Sequence, residues 1–149
     1  METNIYIIVG KIIETVQEIE YNLIEGTKTA KILNLFERYK TVSPHYFAKV
    51  ENDAKELSDA MGNMTFGMLM SIVRKHDFLP SDDLDYLESL LSKRNHLVHK
   101  FFKNNEREKT QDDIKIKYLN KFYEEACNFN QYLSNIIDEM KCDLDNYLH

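Results

Sequence analysis

Apolar residues recur at three- and four-residue intervals through most of the chain. Ile5, Ile8, Ile12, Val16, Ile19 and Leu23 fall on one helical face. Gly26 follows, at a place where a helix commonly stops. The opening run 5–9 also fits a short strand, so the first turn is open between the two. A weaker helical stretch over 29–39 is carried by Ile32, Leu35, Phe36 and Tyr39. Ser43 and Pro44 supply an N-cap and a first-turn proline. Phe47, Val50, Ala54, Leu57 and Met61 then continue the pattern up to Gly62, and Thr65 caps a short helix through Phe66, Leu69, Met70 and Val73.

Pro80 and Ser81 open the next helix. Asp82, Asp83 and Asp85 sit in its first turn, where the helix dipole favours carboxylates. Its stripe is Leu84, Leu87, Leu91, Val98 and Phe101, and Asn104 and Asn105 end it. The last segment is the longest. Leu119, Phe122, Ala126, Phe129, Leu133, Ile136, Met140 and Leu144 predict a helix packed lengthwise on antiparallel neighbours. The expected fold class is all-α: an antiparallel bundle of about five to six helices, forming a single domain over 1–149. No repeat, linker or low-complexity tract interrupts it.

Composition narrows this picture. Four Gly and two Pro in 149 residues are too few for the frequent turns of an all-β fold. A hydrophobic fraction of 43% with 30% charged residues fits a globular chain rather than a disordered tail. The apolar run near the N-terminus is too short to span a bilayer, and no signal peptide is recognised, so a cytoplasmic protein without a membrane partner is expected. Cys127 and Cys142, fifteen positions apart, read as reduced thiols, since on one helix they stand about 22 Å apart. A net charge of -6 argues against general coating of duplex nucleic acid, where affinity comes from neutralising phosphates.

One segment departs from that charge balance. In the helix opened by Pro80 the 3-4 spacing passes through 84, 87, 91, 94, 98 and 101, and position 94 is Arg94. A guanidinium stays charged, so a seam position demands a partner or a wet cleft. Over 89–105 there is no acidic residue, while Lys93, Arg94, Lys100 and Lys103 are basic and His96 and His99 lie between them. A structural explanation exists: cations complement a helix C-terminal half, and a seam arginine pairs with a carboxylate from another helix.

Read in order, Arg94, Asn95, His96, Leu97, Val98 and His99 form an Arg-x4-His pattern with a polar residue directly after the arginine. With Phe101 and Phe102 beyond it, in a helical domain, this resembles the HEPN family over roughly residues 65–102. The resemblance implies a helical bundle that dimerises through the motif helix. It also implies metal-independent ribonuclease activity, as found in toxins of toxin–antitoxin pairs and in phage-defence effectors. By that likeness His99 is the general acid/base, Arg94 the clamp on the phosphate and transition state, and Asn95 the orienter. Lys93, His96, Lys100 and Lys103 are candidate substrate-binding residues. The chemistry is coherent: the ribose 2′-OH attacks the adjacent phosphate, a near-neutral imidazole moves the proton, and a fixed cation meets the growing charge. Implied partners are a second copy, RNA, and an antitoxin or regulator protein.

Arg94 and His99 lie about 140° apart around the helix, so one motif converges poorly alone and a second copy is needed to complete the pocket. His96 also reads as an ordinary surface residue. No Cys, Asp or Glu completes a metal set with the two histidines, and no metal or cofactor is expected. Some HEPN toxins extend the motif to His-x-Tyr, whose tyrosine is modified by a partner enzyme; here Phe101 stands there, without a hydroxyl. His45, His76 and His149 have no supporting context and are expected to be exposed. Tyr118, Phe122, Tyr123, Phe129 and Tyr132, at helical spacing, are expected in the core or a dimer interface rather than on an RNA-stacking platform. The alternative function is a noncatalytic helical module for dimerisation, protein binding or regulation. It requires Arg94 to find a carboxylate inside its own subunit and His99 to face away from any cleft.

Overall fold

The computed structural model describes residues 2–102 and 112–149. They form five helices: α1 (Glu2–Arg38), α2 (Pro44–Met61), α3 (Phe66–His76), α4 (Ser81–Phe102) and α5 (Asp112–Leu148). There is no strand among the described residues, so the start of the chain takes the helical alternative. The expected end of α4 at Asn104 and Asn105 lies outside the described residues.

Local signals place the starts of α2, α3 and α4. Ser43 accepts from the backbone N–H of Tyr46 with Pro44 in the first turn, and Thr65 accepts from that of Met68. Each cap satisfies a donor that the helix itself cannot. The backbone N–H groups of Asp83 and Leu84 bond to the Pro80 carbonyl, starting α4 where expected. Asp77 ends α3 in the left-handed conformation, at φ 49°.

Two expectations about α1 and α5 fail. First, Gly26 does not stop α1, which runs unbroken for 37 residues and absorbs the 29–39 stretch. The residue serves packing instead: a Cβ there would stand 2.6 Å from Phe78 Cε2 and 3.3 Å from Ile137 Cγ1. Its missing side chain lets Phe78, just before α4, press onto α1. Buried Thr27 and Thr29 stay compatible with the helix because their hydroxyls donate to the carbonyls of Leu23 and Glu25. Second, α5 runs parallel to α1, not antiparallel. Lys11 lies against Tyr123, Glu18 against Asn130, Gly26 against Ile137 and Phe36 against Tyr147, so both partners advance together. Asn22 Nδ2 donates to Asn130 Oδ1 (2.8 Å), and Asn130 Nδ2 donates to Glu18 Oε2 (3.2 Å), tying the seam at one height.

The other helices return across this pair. α2 doubles back along α1 after a short turn, with Phe36 on Phe47 and Tyr39 on Tyr46. α4 runs opposite to α5, with Asp83 bonded to Tyr132 and Tyr86 packed on Phe129. Side chains from all five helices meet in one apolar cluster that includes Ile12, Ile19, Leu23, Met61, Val73, Leu87, Leu119 and Leu133. Leu84 and Leu87 of the α4 stripe are buried as expected, but further along Leu90 and Leu97 are buried while Leu91 and Val98 are only half-buried. In α5, Ile137 is buried and Ile136 only partly. The α5 aromatics divide: Phe122 is buried, Tyr123 and Phe129 half-buried, and Tyr118 and Tyr132 exposed. Cys127 and Cys142 are free thiols.

The close approach at Gly26 gives a sign test. Gly26→Ala gains helix propensity of about 1 kcal/mol but overpacks against Phe78, at a cost of about 1–3 kcal/mol. Urea unfolding is expected to show net destabilisation in the wild-type background. In a Phe78→Ala background the same substitution is expected to become stabilising. Equal effects in both backgrounds would contradict this account of the glycine.

Candidate functional site on the second half of α4

α4 meets α1 through Arg94. Its neighbours along the seam, Leu87, Leu90 and Leu97, are buried, and only about 20% of the Arg94 side chain is exposed. Such a position needs compensation. Glu20 of α1 provides it, with Oε1 3.5 Å from the Arg94 guanidinium. Arg94 Nε also donates to Asn95 Oδ1 at 3.1 Å. The seam arginine therefore has a carboxylate inside its own subunit.

Asn95 and His99 lie one turn apart on a single face, where side chains at i and i+4 are neighbours. Both are exposed, as are Lys93 and His96 on the adjoining surface. Because Asn95 Oδ1 accepts from Arg94, its amide N–H groups remain the donors it offers to anything placed beside His99. The arginine thus reaches round the helix and offsets part of the 140° separation from His99. Lys100 belongs to α4, but its side chain lies outside the described residues, as does Lys103 altogether. Glu20 lies against Arg94, and His99 is near Asn95 by helical position; Lys93 and His96 are exposed, with Lys93 about 160° round the helix from Asn95.

Glu20 was not among the sequence candidates. Its signal is local but weak: it interrupts the flank of the apolar stripe between Val16 and Leu23. Among 25 Asp and Glu residues that position does not stand out until α4 is laid on α1. Burial pushes the Glu20 carboxyl above its ordinary value of 4.5, against the downward pull of the Arg94 charge. Desolvation therefore outweighs the ion pair, as is common for partly buried charges.

His76 departs from expectation too. It is half-buried rather than exposed, and its Nδ1 lies 3.0 Å from the Ile72 carbonyl oxygen. His45 and His149 are exposed. Among the described residues no group of three or more His, Cys, Asp and Glu is placed to hold a metal ion. Among them also, no helix is long and apolar enough to cross a membrane. Compared with protein-family models, curated proteins and solved structures, the chain matches none.

The shifted carboxyl sets a pH signature. Unfolding returns Glu20 to its ordinary value, so its contribution is complete below 4.5 and is lost as the pH rises through the higher folded-state value. Glu20→Gln is therefore expected to gain stability relative to wild type as the pH is raised from about 4 to 7. Carboxyl NMR is expected to show the Glu20 titration moving further up in Arg94→Gln. A stability difference independent of pH would contradict burial as the dominant cause, and a titration that moves down would contradict the opposing pull of the Arg94 charge.

Proposed function

We propose that the protein is a HEPN-type ribonuclease. It cuts RNA by 2′-OH attack to leave a 2′,3′-cyclic phosphate, and works as a dimer through the α4 face. The observation that carries this reading is the arrangement on α4 itself: Arg94 bonded to Asn95, with His99 one turn on, exposed on the same face as Asn95. Arg94 commits one N–H group to Asn95 and faces Glu20 with another, and its remaining donors are left for phosphoryl oxygens. His99 serves as general acid/base, Asn95 holds the phosphate or imidazole, and Lys93, His96, Lys100 and Lys103 attract the strand. A second α4 laid across the first supplies the groups that one helix cannot bring together. In that reading the protein acts in the cytoplasm as a toxin or phage-defence effector, restrained by an antitoxin or regulator.

The Glu20–Arg94 pair favours a second reading, a noncatalytic dimerisation or regulatory module. In that case the guanidinium completes the α1–α4 seam and its charge is already answered. The two readings differ in what the exposed face does. As a ribonuclease, the wild type cleaves mixed RNA in the presence of EDTA. His99→Ala is expected to lose about 10²–10⁴-fold of the rate and Arg94→Ala about 10²–10³-fold, each with helicity retained by circular dichroism. Intact RNA with a folded wild-type dimer, or equal cleavage by the folded variants, would favour the noncatalytic module.

A further inference from the structure

We propose that the corner between the end of α1 and the start of α2 is a binding pocket for a phosphorylated nucleoside. A cavity of about 260 Å³ opens there, lined by Lys31, Asn34, Arg38, Tyr39, Tyr46 and His76 among others, and no carboxylate lines it. Lys31 lies eleven residues past Glu20, about 16 Å along the α1 axis, so the pocket is separate from the α4 site. Over residues 27–50 there are five Lys and Arg against a single Glu, in a chain of net charge -6.

Arg74 and Arg94 are held by carboxylates of other helices. Among the described residues, neither Lys31 nor Arg38 lies within 4.0 Å of a carboxylate. Helix dipoles account for Arg38 and His76, which sit in the last turns of α1 and α3. They do not account for Lys31, nor for the tyrosines. His76 engages the Ile72 carbonyl through Nδ1 and so keeps Nε2 as its other polar atom. The first turn of α2 has no acidic residue, and its positive end belongs to the same corner. The Tyr39 and Tyr46 rings meet edge to face at 6.4 Å and 84°, and the two residues are 47% and 42% exposed. Unpaired cations suit a phosphate, and open π faces beside them suit a base.

The ligand is either a free nucleotide or one nucleotide unit of a strand, and binding does not depend on the ribonuclease reading. Titration followed by amide NMR, with AMP in one arm and a 2′-O-methylated tetranucleotide in the other, tests the site. Saturable shifts at Lys31, Arg38 and Tyr46 are expected with at least one probe. Affinity is expected to fall about tenfold in Lys31→Gln/Arg38→Gln, to fall in Tyr46→Ala, and to be retained in Lys31→Arg/Arg38→Lys. Tighter binding of AMP assigns a free nucleotide, and tighter binding of the tetranucleotide assigns a strand. No saturable binding of either probe at low salt, or unchanged affinity in the folded double Gln variant, would overturn the proposal. Loss of ribonuclease activity in His99→Ala leaves these titrations unaffected, so the two readings fail separately.

Discussion

The parallel seam between α1 and α5 is the constraint on which the other contacts depend. Each helix is 37 residues long, about 55 Å from end to end. Ile12, Val16, Ile19 and Leu23 on one side, and Leu119, Ala126 and Leu133 on the other, are essentially removed from water. Burial of a large apolar side chain is worth about 1.5–3 kcal/mol, so this line outweighs any polar contact in the molecule. The Glu18–Asn130–Asn22 chain adds direction rather than strength, because a one-turn slip would leave those groups unmatched. Two parallel helices cannot be joined by a tight turn, and the chain between them must travel back. α4 makes the return against this pair, and Arg94 meets Glu20 only because it does so at this height.

The legible parts of the fold were the local ones. Ser43, Thr65 and Pro80 mark helix starts through bonds to residues three or four positions away, and a sequence displays those directly. Gly26 misled because its local meaning, a stop, differs from its tertiary meaning, a close approach by Phe78. The parallel sense of α5 was hidden for a related reason: an apolar stripe fixes which face is buried and says nothing of the neighbour's direction. The same limit applies at the candidate site. Arg94 was visible as a charge on a seam, while Glu20, 74 positions earlier, became its partner only through folding. His76 lacked any sequence context, and its half-buried position follows from the meeting of α1, α2 and α3 ends.

Arg94 and the cations of the α1–α2 corner are held differently. Arg94 is built into a seam, desolvated and answered by a carboxylate that itself resists ionisation. In the proposed reaction its value is positional, since Asn95 and Glu20 hold the guanidinium in place. Preorganised charge of that kind contributes to catalysis because little rearrangement is needed when the transition state forms. Lys31 and Arg38 are uncommitted and sit beside tyrosines, an arrangement suited to capture of an anion with a flat ring.

The central claim is that the α4 face performs 2′-OH chemistry on RNA. The most direct measurement compares a random-sequence RNA pool with the same pool fully 2′-O-methylated, both with wild-type protein and EDTA, with product ends read by mass spectrometry. The account predicts fragments ending in 2′,3′-cyclic phosphate from the unmodified pool and none from the methylated one. Equal cleavage of both pools, or fragments ending in a 3′-hydroxyl, would contradict it.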